Sequence, residues 1–198
     1  MALRQAYVLL VTTAIASLLL SGWMSGVLGL EGGFTSPAAC ASASIPPGAS
    51  VRDFLNLSIF VNPADNEEFF SPANFTIPAS TLVEVTIDDY DSGPSQVPAV
   101  NTAVCGTVNG TLSYSGSNLS SLANITLAHT MTITNGSYRG FNVPIPAAPG
   151  NSGAPAQVSF YVYFSTPGVY RWQCMANCGE NQMSVDGKMS GLITVQSW

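Results

Sequence analysis

Short runs of β-branched and aromatic residues recur from Val51 to the end of the chain, and turn residues separate them. In the runs at 55–61 and 82–87, apolar and polar residues alternate, as on a strand with one buried face. Similar apolar runs occupy 158–164 and 192–195. No segment after residue 31 keeps a helical period, so the pattern predicts an all-β sandwich or barrel.

The N-terminal run from Ala6 to Leu30 contains no charged residue. Its length of about 25 residues is enough to cross a hydrocarbon core of about 30 Å. Arg4 precedes it and Glu31 follows it, which places the N-terminus in the cytoplasm and the rest outside the cell membrane. A cleaved signal peptide is the alternative, but its apolar region usually spans only about 7–15 residues. We therefore expect one transmembrane helix, in contact with membrane lipid.

The remaining chain divides into a linker and a domain. Residues 31–50 are rich in Gly, Ala, Ser and Pro and predict a linker. Residues 51–198 predict one extracytoplasmic domain, which is long enough to bury a core. Within it, residues 91–123 do not alternate cleanly and predict an excursion inserted into the sandwich.

Charge and glycosylation signals narrow the choice of partners. The chain has only five basic residues, they are scattered, and the net charge is −6, which argues against nucleic-acid binding. Six Asn-x-Ser/Thr sequons predict a glycosylated outer surface. Their asparagines are Asn56, Asn74, Asn109, Asn118, Asn124 and Asn135.

The four cysteines should be paired or metal-bound, because free thiols are rare outside the cell. Cys40 and Cys105 lie in the least regular parts of the sequence and are the natural disulfide. Cys174 and Cys178 lie four residues apart. They could form a second disulfide, since a turn can bring such residues within bridging distance. They could instead bind copper or stay as free thiols.

Soft and imidazole donors collect around the second cysteine pair. A predicted strand ends at Cys174, and a short loop leads through Cys178 to Met189 and the last strand. The only histidine, His129, lies in a strand-like run upstream. Copper prefers thiolate, thioether and imidazole donors on a loop braced by strands, so this segment favours a copper site.

The same segment carries a family resemblance. Residues 70–91 look like the early strands of cupredoxins, and the later part resembles the dinuclear-copper domain of subunit II of haem-copper terminal oxidases. That family has an upstream histidine and then Cys-x3-Cys-Gly-x2-His-x2-Met before its last strand. His129 matches the upstream histidine, and Cys174, Cys178 and Gly179 match the cysteine motif. The resemblance implies a cupredoxin-like Greek-key β-sandwich.

Two positions depart from the family pattern. Gln182 stands where the second histidine belongs, and Val185 stands where the methionine belongs. A four-residue insertion would let Met189 take the methionine's role, with Met189 or Gln182 completing a site of His129, Cys174 and Cys178. Glutamine oxygen is a harder and weaker donor than imidazole. Some quinol-oxidizing relatives of this subunit keep the fold and lose the copper.

The resemblance implies a subunit of a respiratory terminal oxidase that passes electrons from an external donor or quinol, through copper, to a haem-containing catalytic subunit. A copper-free structural subunit of a quinol oxidase, with Cys174 and Cys178 as a disulfide, is the second hypothesis. An extracellular binding or surface module is the third. No nucleophilic triad, zinc cluster or phosphate loop is visible in the sequence, so we expect no catalytic residue and no independent enzyme.

Overall fold

The computed structural model describes residues 40, 42–150, 153–178 and 182–197. The predicted transmembrane helix therefore lies outside the described residues, and so do residues 31–39 and 41 of the predicted linker. Within the described ranges, no helix is long and apolar enough to cross a membrane. Helical structure in these ranges consists of three short 3-10 turns, at Ala99–Thr102, Asn124–Thr126 and Gly136–Tyr138.

Eleven strands form two sheets in the described part of the chain, which confirms the predicted all-β fold. Each of the four runs with strand character in the sequence forms a strand or part of one. In chain order the strands are β1 (Val51–Val61), β2 (Glu68–Ser71), β3 (Phe75–Pro78), β4 (Leu82–Asp89), β5 (Leu112–Tyr114), β6 (Ser117–Leu119), β7 (Leu127–Ile133), β8 (Asn142–Pro146), β9 (Ala156–Tyr163), β10 (Gly168–Gln173) and β11 (Ser190–Gln196).

The six-stranded sheet has the order β2-β1-β4-β9-β5-β6, and the five-stranded sheet has the order β3-β11-β10-β7-β8. Consecutive strands β2, β3 and β4 alternate between the two sheets. The β1–β4 and β3–β11 pairs are parallel, whereas the other pairs are antiparallel. Strands that are distant in sequence are therefore neighbours in both sheets.

The core is formed by the inward faces of both sheets. Strands β4 and β9 bury alternate residues, as expected for strands with one solvated face. Strand β7 is buried along its whole length. Trp172 is fully buried, packs edge-on against Phe70 and donates its indole N–H to the carbonyl of Ala73 at 2.9 Å. Tyr170 is also buried, so both aromatic residues of β10 serve the core.

The irregular region 91–123 contains the 3-10 turn at 99–102 and the β5–β6 hairpin, which pairs with β9 at one edge of the six-stranded sheet. Cys105 lies in this region and is bonded to Cys40, as predicted. Ala43 donates its N–H to the carbonyl of Thr107. The disulfide and this hydrogen bond attach the chain before β1 to the irregular region.

Candidate metal centre

Strand pairing brings His129 and Cys174 together. Strands β7 and β10 run antiparallel, with Gln173 opposite Thr132, so the residue after β10 lies beside the middle of β7. The N–H of Thr130 points to the sulfur of Cys174 at 3.5 Å. On the other side, the N–H of Cys174 donates to the carbonyl of Met189 at 2.8 Å. Cys174 is thus held between β7 and the start of β11.

The imidazole and the two thiols form one buried group. Nδ1 of His129 lies 3.3 Å from Sγ of Cys178 and 4.0 Å from Sγ of Cys174. The two sulfur atoms are 2.8 Å apart, farther than the roughly 2.05 Å of a disulfide bond, and both thiols are free. All three side chains are inaccessible to solvent.

The loop between the cysteines (residues 175–177), called the ligand loop below, turns polar backbone groups towards the site. Ala176 donates its N–H to the sulfur of Cys174 at 3.3 Å. Met175 donates its N–H to the hydroxyl of Thr130 at 2.8 Å, which fastens the loop to β7. Hydrogen bonds from backbone N–H groups to sulfur, such as those of Ala176 and Thr130, favour the thiolate over the thiol.

Three carboxyl groups surround the same imidazole ring, and the sequence analysis did not identify them as site residues. Asp91 places Oδ2 3.2 Å from Nε2 of His129, and Asp89 places Oδ2 3.9 Å from it. Glu68 places Oε2 3.9 Å from Nδ1. Three buried atoms have no hydrogen-bond partner of good geometry among the described residues: Oε2 of Glu68, Oδ2 of Asp89 and Nε2 of His129.

One signal for the aspartates was present in the sequence. Residues 88–91 read Asp-Asp-Tyr-Asp at the end of a predicted strand, in a chain with only 8% charged residues. Because side chains alternate along a strand, one of Asp88 and Asp89 had to point inward. Asp89 is the buried one, and its Oδ1 accepts the N–H of Asp91 at 2.8 Å.

The charges of His129 and Cys174 are coupled. Burial disfavours the imidazolium ion, but Asp91, Cys174 and Asp89 outweigh it and hold the pKa of His129 well above its usual range. Burial likewise disfavours the Cys174 thiolate, but hydrogen bonds with Cys178 and His129 hold the pKa of Cys174 well below its usual range. The Cys178 pKa is raised, first by its hydrogen bond with Cys174 and then by burial. These pKa directions favour the thiolate at Cys174 over the thiolate at Cys178.

The three acids respond differently to burial. Burial raises the pKa of Asp89 to about 7, and it also raises the pKa of Glu68. Burial opposes ionisation of Asp91 as well, but the neighbouring His129 ring and the N–H of Gly93 lower its pKa. Asp91 is therefore the acid that balances the charge of the His129 ring, whereas Asp89 and Glu68 lack full compensation.

The remaining predicted ligands have different positions. Gln182 is buried, but its amide oxygen accepts the N–H of Glu68 at 3.0 Å. Met189 is fully buried, and its backbone pairs with Cys174. Val185 is 44% exposed, so the uninterrupted family register would place a surface residue at the methionine position. Gly179 lies outside the described residues.

The donor set fits copper. Two thiol groups and one imidazole within 4.8 Å of one another provide the soft and borderline ligands that copper prefers. A tetrahedral zinc ion accepts the same ligands, so the donors alone define a class of thiophilic metals. Within that class, the prediction of copper depends on the resemblance of the upstream histidine and the Cys-x3-Cys spacing to the subunit II pattern.

Comparisons with known proteins give only distant similarities. No protein-family model matches the chain, and no curated protein matches it. A rusticyanin variant is 14% identical over 74% of this chain and 79% of its own, with a TM-score of 0.43. A chain from the structure of a heme-copper terminal oxidase dimer is 16% identical over 93% of this chain and 96% of its own, with a TM-score of 0.34. A purple cupredoxin from Nitrosopumilus maritimus is 19% identical over 72% and 99%, with a TM-score of 0.30. Because these TM-scores are below 0.5, the function proposed below depends on the residues of the site itself.

Proposed function

We propose that this chain is a copper-binding, electron-transferring component of a membrane terminal oxidase, similar to subunit II. The observation that carries the proposal is the convergence of His129, Cys174 and Cys178 in one solvent-free pocket. The resemblance to subunit II depends on the same residues, through the Cys-x3-Cys spacing and the upstream histidine.

Copper, when bound, would supply a one-electron couple between Cu(I) and Cu(II). The thiolates and the imidazole would bind it, and the buried strand β7 would fix the position of the ring. Hydrogen bonds from Thr130 and Ala176 to the sulfur of Cys174 would keep that thiolate in place in both oxidation states. A rigid, dry ligand cage keeps small the structural change that accompanies electron transfer.

Asp91 would orient the imidazole. Nδ1 of His129 faces the sulfur atoms, so Nε2 is the nitrogen that would carry the proton, and it faces Oδ2 of Asp91. A carboxylate in this position fixes the tautomer of a metal-binding histidine and strengthens it as a donor.

The partners follow from the resemblance and from the sequence. Electrons would enter from an external donor or quinol and leave towards a haem-containing catalytic subunit. Residues 1–30 would anchor the chain in the cell membrane, with the domain outside. The six sequons would carry glycans there, and the asparagine of each is exposed, as glycosylation requires.

Copper analysis and visible absorption of the detergent-purified full chain test the copper proposal. We expect stoichiometric copper and an intense thiolate-to-copper band, and we expect Cys174→Ser to remove both. Co-purification with haem-containing subunits tests the oxidase assignment. Copper without such partners would leave an electron-transfer domain of another system.

A copper-free structural subunit is the second candidate, and one distance favours it. The sulfur atoms of Cys174 and Cys178 are only 2.8 Å apart, so a small movement would allow a disulfide bond. In that case the protein would stay colourless after copper reconstitution under reducing conditions. Both thiols would resist alkylation until a reductant is added.

A further inference from the structure

The metal pocket contains a carboxylate that neither the cysteine motif nor the family pattern explains. Glu68 begins β2, and its Oε2 is buried without a hydrogen-bond partner among the described residues. This oxygen lies 3.9 Å from Nδ1 of His129, the same ring nitrogen that faces the two sulfur atoms. The Glu68 carboxyl and the Cys178 thiol are close enough to shift each other's pKa.

Gln182 and Lys188, which lie between the cysteine motif and β11, hold Glu68 in this position. The N–H of Glu68 donates to the amide oxygen of Gln182 at 3.0 Å. Two residues later, the N–H of Phe70 donates to the carbonyl of Lys188 at 3.1 Å. Gln182, which occupies the place of the family's second histidine, thus binds the backbone of the residue that brings an oxygen donor into the pocket.

The distances from Nδ1 of His129 to the other three proposed donors are close to those within one coordination shell. With bonds of about 2.0 to 2.3 Å, the ligand atoms of a tetrahedral metal ion lie about 3.3 to 3.8 Å apart. Here Nδ1 of His129 lies 3.3 and 4.0 Å from the sulfurs of Cys178 and Cys174, and 3.9 Å from Oε2 of Glu68. Movements of a few tenths of an ångström would bring these three contacts into that range, whereas the two sulfur atoms, 2.8 Å apart, would have to separate by about 1 Å.

The pocket has fewer cationic groups than acidic ones. Among the described residues, Glu68, Asp89 and Asp91 have His129 as their ion-pair partner. Nearby basic side chains are already paired elsewhere, Arg171 with Asp186 and Lys188 with Glu67. Buried carboxylates are stable only when they are paired, protonated or bound to a metal. A metal ion would supply the missing positive charge.

We propose that Oε2 of Glu68 is a copper ligand that takes the place of the family's second imidazole, beside His129, Cys174 and Cys178. This inference rests on the proposed copper-binding function. A carboxylate oxygen is a harder donor than an imidazole nitrogen, so the site would favour Cu(II) more than one with two imidazoles. Gln182 would act by positioning Glu68.

The test compares Glu68→Gln with Glu67→Gln in the full chain, reconstituted with copper. The two variants remove the same charge from adjacent residues, but the Glu67 carboxylate pairs with Lys188. Affinity would be measured by chelator competition, and the ligand set by visible absorption and electron paramagnetic resonance. We expect Glu68→Gln to weaken Cu(II) binding at least about tenfold and to shift the thiolate-to-copper band. Glu67→Gln should leave affinity within about twofold and the band in place.

Glu68→Asp separates coordination from charge, because it keeps the carboxylate and withdraws it by one methylene. We expect it also to shift the band. Fluorescence of the buried Trp172 would show that each variant is folded. If Glu68→Gln and Glu68→Asp matched Glu67→Gln while Cys174→Ser lost the copper, Glu68 would not be a ligand, although the copper function would stand. If the wild-type chain bound no copper, both proposals would fall.

Discussion

The two cysteine pairs of this domain lie in regions of opposite character. Cys40 and Cys105 are 65 residues apart in sequence, and their disulfide joins the chain before β1 to the irregular region. Between residues 92 and 150, the only Asp, Glu, Lys or Arg is Arg139. Cys174 and Cys178 lie in one short loop, are free thiols, and face a histidine with three acids around it.

This difference shows that the neighbours of a cysteine pair decide its chemistry. Around Cys105, a buried backbone pair with Asn142 and the amide of that asparagine satisfy the polar groups. Around Cys174, one polar atom each of Glu68, Asp89 and His129 has no hydrogen-bond partner among the described residues. The first region is complete as a structural crosslink, whereas the second contains the donor atoms that we propose bind a metal ion.

The largest effect on stability should come from the disulfide. A crosslink that closes a loop of 65 residues contributes about 4 kcal/mol by restricting the unfolded chain. We expect the double variant Cys40→Ser/Cys105→Ser to lose about that amount in urea denaturation and to keep its copper capacity. A loss below about 1 kcal/mol would mean that the disulfide does not restrict the unfolded chain. Loss of copper would mean that the two regions are coupled.

The second effect distinguishes the regions by pH. The pKa of Asp89 is about 7 in the folded chain, against 3.8 as its ordinary value. Between about pH 4 and pH 7 the folded state therefore holds a proton that the unfolded state releases, and stability falls as the pH rises. One such proton changes the free energy of unfolding by up to about 1.4 kcal/mol per pH unit. Glu68 acts in the same direction from its ordinary pKa upward.

Urea denaturation of the copper-free protein at several pH values would check this expectation. Asp89→Asn should flatten the decline by roughly 1 kcal/mol per pH unit relative to wild type. Asp88→Asn is the matched control, because the neighbouring Asp88 carboxylate accepts a hydrogen bond from Gln157 on the exposed side of β4. An equal slope in wild type and Asp89→Asn would show that burial of Asp89 does not control this pH dependence.

Sequence predicted the strands well, because alternation and turn residues are local properties. It also predicted the Cys40–Cys105 disulfide and named His129, Cys174 and Cys178, which the fold brings together. Sheet order was not predictable in the same way, since the parallel pairing of β1 with β4 depends on contacts between distant strands. Family resemblance supplied the expectation for the site, and local pattern supplied the expectation for the sandwich.

The acids around His129 were not predictable from the sequence, because contacts between distant residues position them. Glu68 reaches the pocket because its backbone N–H is hydrogen-bonded to the side chain of Gln182, which is 114 residues away in the chain. No local pattern contains that contact. Its place in the motif predicts Gln182 as a ligand, whereas its amide oxygen accepts a hydrogen bond from the backbone N–H of Glu68. Its contact in the fold is with Glu68, the first residue of β2, and that contact depends on how β2 packs.

The smallest effect compares one hydroxyl from each region. Thr130 and Thr107 are both fully buried, and the hydroxyl of each makes a hydrogen bond that fastens a loop. The Thr130 hydroxyl also hydrogen-bonds to the hydroxyl of Thr132 at 3.1 Å. Thr130 accepts the N–H of Met175 in the ligand loop at 2.8 Å, and Thr107 donates to the carbonyl of Thr111 at 2.9 Å. Replacement by valine keeps the shape and leaves one backbone group unpaired, which should lower stability by about 1 to 2 kcal/mol in either region.

The two valine variants should differ at the metal. Thr130→Val releases the loop that carries Cys174 and Cys178, so we expect a weaker affinity for copper and a broader thiolate-to-copper band. Thr107→Val should lose similar stability with the band unchanged, because its loop contains no donor. Chelator competition and visible absorption on both variants would measure this contrast. Equal copper spectra in the two would show that the ligand loop keeps its geometry without Thr130, and that the sulfur atoms are positioned by the strands alone.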